Sequence, residues 1–150
     1  MAIVASKGVY FKKVLVGVDG SEYSAVAFDY AVHYAQEQHL GLTIVSVWDE
    51  DALNVYQDLD DNYVQTQHRA LEISMEEYRH AAEDRGVQQV ATLIVDGQPG
   101  PAIVKEVIPQ VKPDLLIIGA KSKKEADMTQ IGSEAAYMVK HSPISVLVIR

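Results

Sequence analysis

Gly119, Ser122, Gly132 and Ser133 form the spacing in this chain that points most directly to chemistry. The apolar run Leu115-Leu116-Ile117-Ile118 delivers the chain to Gly119, and Gly132-Ser133 follow thirteen residues later at what reads as a helix start. Glycine has no Cβ, so its backbone can approach a ligand closely, and the first turn of a helix leaves N–H groups unpaired and partly positive. Such an arrangement suits a phosphate. Lys121, Lys123 and Lys124 occupy the intervening loop of an otherwise acidic chain and can meet phosphates as point charges, while Ser122 offers a hydroxyl. The plain alternative is a solvated loop whose lysines are neutralised by Glu125 and Asp127, followed by a helix that Ser133 merely caps.

Other chemistries find less support. Neither a Gly-x-x-x-x-Gly-Lys-Ser/Thr loop nor a Gly-x-Gly-x-x-Gly turn follows the first apolar run, which argues against a P-loop NTPase or a dinucleotide enzyme. The chain has no cysteine, so disulfides, thiolate metal sites and a cysteine nucleophile are excluded. Its five histidines, His33, His39, His68, His80 and His141, lack the spacing of a helical metal pair and read as structural or surface groups, with His141 placed to complement a helix C-terminus. The run from Asp58 to Asn62 fails as a calcium loop, because Tyr63 falls where glycine is needed and Arg69 where the bidentate glutamate belongs. Asp96 ends a strand, but the acidic pair expected of a phosphoacceptor domain is reduced to Asp19 alone. No serine–histidine–acid order is legible, so efficient catalysis is not expected, and slow hydrolysis stays open.

The elements that position these residues follow from hydrophobic periodicity. Val14–Val18, Leu42–Val47, Val90–Val95, Leu115–Ile118 and Val146–Ile149 are near-continuous apolar runs, the mark of parallel strands covered on both faces. Between them Ala25, Phe28, Val32 and Ala35 repeat at helical spacing, as do Val64, Leu71, Met75, Tyr78 and Ala82. Ser21 and Gly41 bracket the first helix, Gly86 closes the second, and Pro99 or Pro101 opens the third. Strict alternation of strand and helix with right-handed crossovers predicts a three-layer, doubly wound α/β domain with a five-stranded parallel sheet in the order 3-2-1-4-5 and four helices. Ligands of such sheets sit outside the carboxyl ends of the strands, here Asp19-Gly20, Trp48-Asp49, Asp96-Gly97 and Gly119-Ala120. Asp19-Gly20 then reads as a strand-to-helix turn, with Asp19 available either to cap the helix or to touch a ligand. Trp48 is expected to pack, and Asp49 to Asn62 forms a long acidic excursion at the same edge.

At 150 residues the chain is one domain, residues 1–150, with a short flexible arm over residues 1–8. A formal charge of −8 argues against nucleic acid and anionic membrane as partners, since both require a basic surface. No apolar run reaches the length of a signal-peptide core or a membrane span, and a cytoplasmic location is the default expectation.

Taken together, Gly119-x2-Ser122-x9-Gly132-Ser133, the opening Val14-Leu15-Val16-Gly17-Val18-Asp19-Gly20-Ser21, the segment Val45-Ser46-Val47-Trp48-Asp49 and the ending His141 to Arg150 resemble the universal stress protein family over nearly the whole chain. The resemblance implies an adenine nucleotide, ATP or else AMP or ADP, with a divalent ion such as Mg²⁺ accompanying a triphosphate. It places Val18 and Asp19 beside the nucleoside, main-chain hydrogen bonds to adenine at Val47, and the phosphates at Gly119, Ser122, Gly132 and Ser133. It further implies a homodimer through Ser145 to Arg150 that serves a stress-related regulatory role. That last strand is also an apolar sheet edge, which invites pairing. One departure is Ser122, which stands where the family pattern has its second glycine. If the loop needs φ > 0 there, serine costs about 1 kcal/mol or more. A nucleotide-free member of the family working as a protein-interaction module is the competing expectation.

Overall fold

The computed structural model describes residues 10–49, 61–122 and 130–150. The expected leading arm, most of the acidic excursion after Asp49, and Lys123, Lys124, Glu125 and Asp127 lie outside them. Five strands, β1 (Lys13–Gly17), β2 (Gly41–Trp48), β3 (Val90–Asp96), β4 (Leu115–Gly119) and β5 (Ser145–Ile149), form one sheet, all parallel, in the order β3-β2-β1-β4-β5. Four helical segments connect them: α1 (Glu22–Gln38), α2 (Asp61–Asp84), α3, built from Pro99–Ala102, Ile103–Val107 and Ile108–Val111, and α4 (Ser133–His141). This is the α/β architecture expected from the alternating runs.

Side chains of a strand point alternately to opposite faces, and the sheet uses both. Val14 and Val16 of β1 and Ile117 of β4 pack with Ala27, Phe28, Ala31 and Val32 of α1 and Met75 and Ala82 of α2. Leu15, Leu116 and Ile118 pack the other way, against Ile103 and Val107 of α3 and Ala135 and Met138 of α4. The central strands β1, β2 and β4 are therefore buried on both faces, whereas the edge strands β3 and β5 are half-buried. Near-continuous apolar sequence does not by itself separate the two situations.

Helix boundaries follow local chemistry. Ser21 caps α1, its Oγ accepting the N–H of Ser24 at 3.1 Å. The expected closing glycine is displaced: His39 takes the left-handed cap position with φ 57°, and Gly41 already belongs to β2. Gly86, with φ 97°, does turn the chain after α2. Pro99 opens α3, where its missing N–H costs nothing. Pro109 cannot donate to a carbonyl four residues back, and just before it the helix loosens into a π turn in which the Ile108 N–H reaches the Ile103 carbonyl. Among the described residues no helix is long and apolar enough to cross a membrane.

Candidate functional site

After β1 the chain turns to the face that carries α1, and after β4 it leads to α4 on the opposite face. Winding reverses between these two neighbouring strands, and a crevice opens at their carboxyl ends. Gly17, Val18 and Asp19 form its floor with Gly119; Val45 and Val47 form one wall. Ile103 of α3 and Glu134, Ala135 and Met138 of α4 form the opposite wall, with Lys121 and Ser122 at the mouth. The cavity measures about 90 Å³, below the ~300–1,000 Å³ of a complete small-molecule pocket.

Backbone direction gives one wall a specific character. Val45 accepts the Val18 N–H at 2.9 Å, whereas Trp48 accepts the Gly97 N–H at 3.0 Å on the β3 side. N–H and C=O groups of a parallel strand alternate sides residue by residue. Val47 therefore directs both its donor and its acceptor to the β1 side, past Gly17, the last residue of β1. The half-buried Val47 thus offers a hydrogen-bonding edge to the crevice.

Asp19 is held by the helix it precedes. Its Oδ1 accepts the Ser21 N–H at 3.0 Å, and its own N–H donates to Ser24 Oγ at 3.2 Å. The carboxylate shapes the turn that leads into α1 and also lines the crevice, while the helix cap itself is Ser21. Gly20, at φ 80°, makes that turn with a conformation few other residues adopt. Burial, reinforced by the negative charges of Asp19 and Glu77, pushes the Tyr78 phenol above its ordinary value, and its ring meets Phe28 edge-on with centroids 4.8 Å apart.

Gly119 lines the crevice, yet its lack of a side chain is demanded from behind. A Cβ there would lie 2.7 Å from the carbonyl carbon of Tyr23 and 2.8 Å from its Cβ. The first turn of α1 presses on this strand end. Among the described non-glycine residues, φ is positive at His39 and Lys112, so Ser122 does not occupy the left-handed region and the anticipated strain is absent. Lys121 places its ammonium 5.4 Å from the Tyr23 ring centroid, a cation–π arrangement at the mouth.

Gly132 and Ser133 are where the sequence puts them, at the start of α4, but neither forms the crevice wall. Gly132 is the N-cap residue, so the cap is not Ser133, and its N–H donates to the Ala120 carbonyl at 2.8 Å. The wall residue is Glu134, one position further on. Its Oε2 accepts the Gly100 N–H at 2.5 Å, joining the first turns of α3 and α4. Sequence reasoning passed over Glu134, although an acid in a helical first turn next to a suspected phosphate loop is a readable signal. Trp48 is buried and packs edge-on against His68 at 5.0 Å, apart from the crevice, as expected.

Among the described residues the crevice therefore combines an apolar slot, a main-chain donor–acceptor edge, carboxylates at Asp19 and Glu134, and the ammonium of Lys121. Comparison with known proteins gives this arrangement a context. The model of the universal stress protein family matches residues 10–150. A universal stress protein of Staphylococcus aureus strain USA300 is 30% identical over 142 residues, 95% of this chain and 86% of its own length. The structure of universal stress protein UspA from Lactobacillus plantarum superposes with a TM-score of 0.83 at 25% identity, covering 95% of this chain and all of that one. A universal stress protein solved in complex with cAMP shares the fold, with a TM-score of 0.71, 24% identity, and coverage of 93% of this chain and 97% of its own. Family match, relative and fold agree over nearly the whole chain, and on that ground the chain belongs to the universal stress protein family.

Proposed function

We propose that this protein binds an adenine nucleotide, ATP or its mono- or diphosphate, in the crevice between β1 and β4, and acts as a homodimeric regulator in the stress response of a cytoplasm. The observation that carries the reading is Val47, whose N–H and C=O face the crevice together. Adenine presents an amino donor beside a ring-nitrogen acceptor, and an adjacent main-chain donor and acceptor match that edge. Val18 and Asp19 then stand beside the nucleoside, and Gly119 and Ser122 lead towards the phosphates, with Gly132 and Ser133 next to Glu134 at the start of α4. A family relative carrying cAMP supports an adenine ligand on this fold. Asp19 and Glu134 are the carboxylates that could approach a Mg²⁺ accompanying a triphosphate, although Glu134 already accepts a main-chain N–H.

The test is direct. Protein purified without added nucleotide is denatured, the released small molecules are identified by mass, and the folded protein is titrated with ATP, ADP and AMP, with and without Mg²⁺. A ligand at a hundred times its Kd stabilises the native state by about 2.7 kcal/mol, which raises the Tm of a domain this size by roughly 5–11 °C. Absence of released nucleotide together with an unmoved Tm would refute the reading in favour of a nucleotide-free interaction module.

A further inference from the structure

The carboxylate of Glu134 lines the crevice together with Gly119 and Ser122, the residues towards which the proposed site directs a phosphate chain. It belongs to the first turn of α4, where a negative charge complements the helix dipole. It also reaches across to accept the Gly100 N–H at the first turn of α3. The attraction that these two helix ends would extend to a ligand anion is thus already answered by a side chain of the protein. The fit is close on both sides, since a Cβ on Gly100 would sit 2.6 Å from Glu134 Oε2 and 2.8 Å from Tyr137 Cδ1. The Gly132 N–H, a donor that a phosphate loop would use, goes to the Ala120 carbonyl. Around the crevice the described charged groups are Asp19, Glu134 and Lys121, a formal sum of −1.

We infer that Glu134 is a specificity-determining residue which makes the crevice select adenine ligands of low charge, the nucleoside and the monophosphate, over unchelated ATP. The inference rests on the proposed adenine site and deepens it. Binding of the base uses the neutral edge of Val47, to which Glu134 is indifferent. Each phosphate added to the ligand brings negative charge towards a fixed, partly buried carboxylate, where screening by water is incomplete. Affinity should then fall along the series adenosine, AMP, ADP, ATP.

Isothermal titration of the full chain with these four ligands, in the presence of a chelator so that no divalent ion masks the phosphates, tests this. Wild-type protein should bind adenosine or AMP more tightly than ATP. Glu134→Gln keeps an oxygen to accept the Gly100 N–H and removes the charge; it should raise affinity for ATP by ~10-fold, the scale of one charge–charge interaction at a partly exposed site, and leave adenosine within about twofold. Glu106→Gln, an exposed charge on α3 away from the crevice, controls for net charge and should leave the series unchanged. If ATP is the tightest ligand of wild type, or if Glu134→Gln shifts all four ligands equally, the inference is overturned while the adenine site stands. If no member of the series binds either protein, the site and the inference fall together. The wild-type series decides the question even if the variant does not fold.

Discussion

A single missing methyl group carries much of the site's geometry. Gly119 ends β4 where the backbone of Tyr23 passes, with the Tyr23 carbonyl carbon and oxygen 2.7 and 2.9 Å from where a Cβ would stand. None of these atoms is the far end of a flexible side chain, so α1 itself would have to move. Gly119→Ala is therefore expected to destabilise the fold by about 1–3 kcal/mol, the usual cost of overpacking, as measured by urea denaturation. Because α1 also holds the Asp19 turn through Ser21 and Ser24, the same variant should weaken any ligand of the crevice. A stability unchanged within error would show that the strand end yields easily. The sequence makes Gly119 conspicuous for a ligand-facing reason, while the structure adds a packing reason that no local pattern could contain, because Tyr23 lies almost a hundred residues earlier in the chain. Glu134 shows the opposite case. Its type and helical position are plain in the sequence, but its partner, the Gly100 N–H, emerges only when α3 and α4 are side by side.

At the scale of elements, short-range chemistry decides where helices start, and the sequence states it openly. Ser21 is buried, accepts the Ser24 N–H, and receives at its carbonyl the Ser24 hydroxyl at 3.1 Å. Ser21→Ala should cost about 1 kcal/mol, within the 0.5–2 range of lost N-caps, read as a lowered urea midpoint with an unchanged slope. A loss no greater than that of an exposed serine elsewhere would mean that water replaces the cap. The five strands and the opening of α1 and α3 are legible because each rests on residues within one turn or one run, whereas the order of the strands joins segments as far apart as Val14 and Leu115. The end of α1 is less so: His39 holds a left-handed conformation that histidine adopts only occasionally, and the nearby glycine is a distraction. The π turn of α3 is legible only in part. Pro109 signals a disturbed helix, but whether the helix breaks, kinks or loosens depends on Ile103, Val104 and Val107 being held in the core.

For the whole molecule the open question is what covers the edge of the sheet at β5. Val146 and Val148 pack on the α3–α4 side, and Leu147 and Ile149 on the α1–α2 side, so both faces of this strand are engaged in the monomer. The remaining liability is backbone. Ile149 accepts the Ala120 N–H on the β4 side, and by strand alternation the N–H and C=O groups of Val146 and Val148 point outward. A lysine at position 148 would confound edge pairing with core disruption. Proline, at an edge position whose N–H faces outward, removes a pairing donor, introduces no charge and spares the ladder within the sheet. If the proposed homodimer pairs through β5, Val148→Pro should halve the mass measured by light scattering while preserving the far-UV circular dichroism of the fold. Leu147→Pro, which removes an N–H directed at β4, should instead unfold the strand and lower the Tm. A dimer that survives Val148→Pro would place the subunit contact elsewhere, and a wild-type monomer would dismiss the edge pairing altogether.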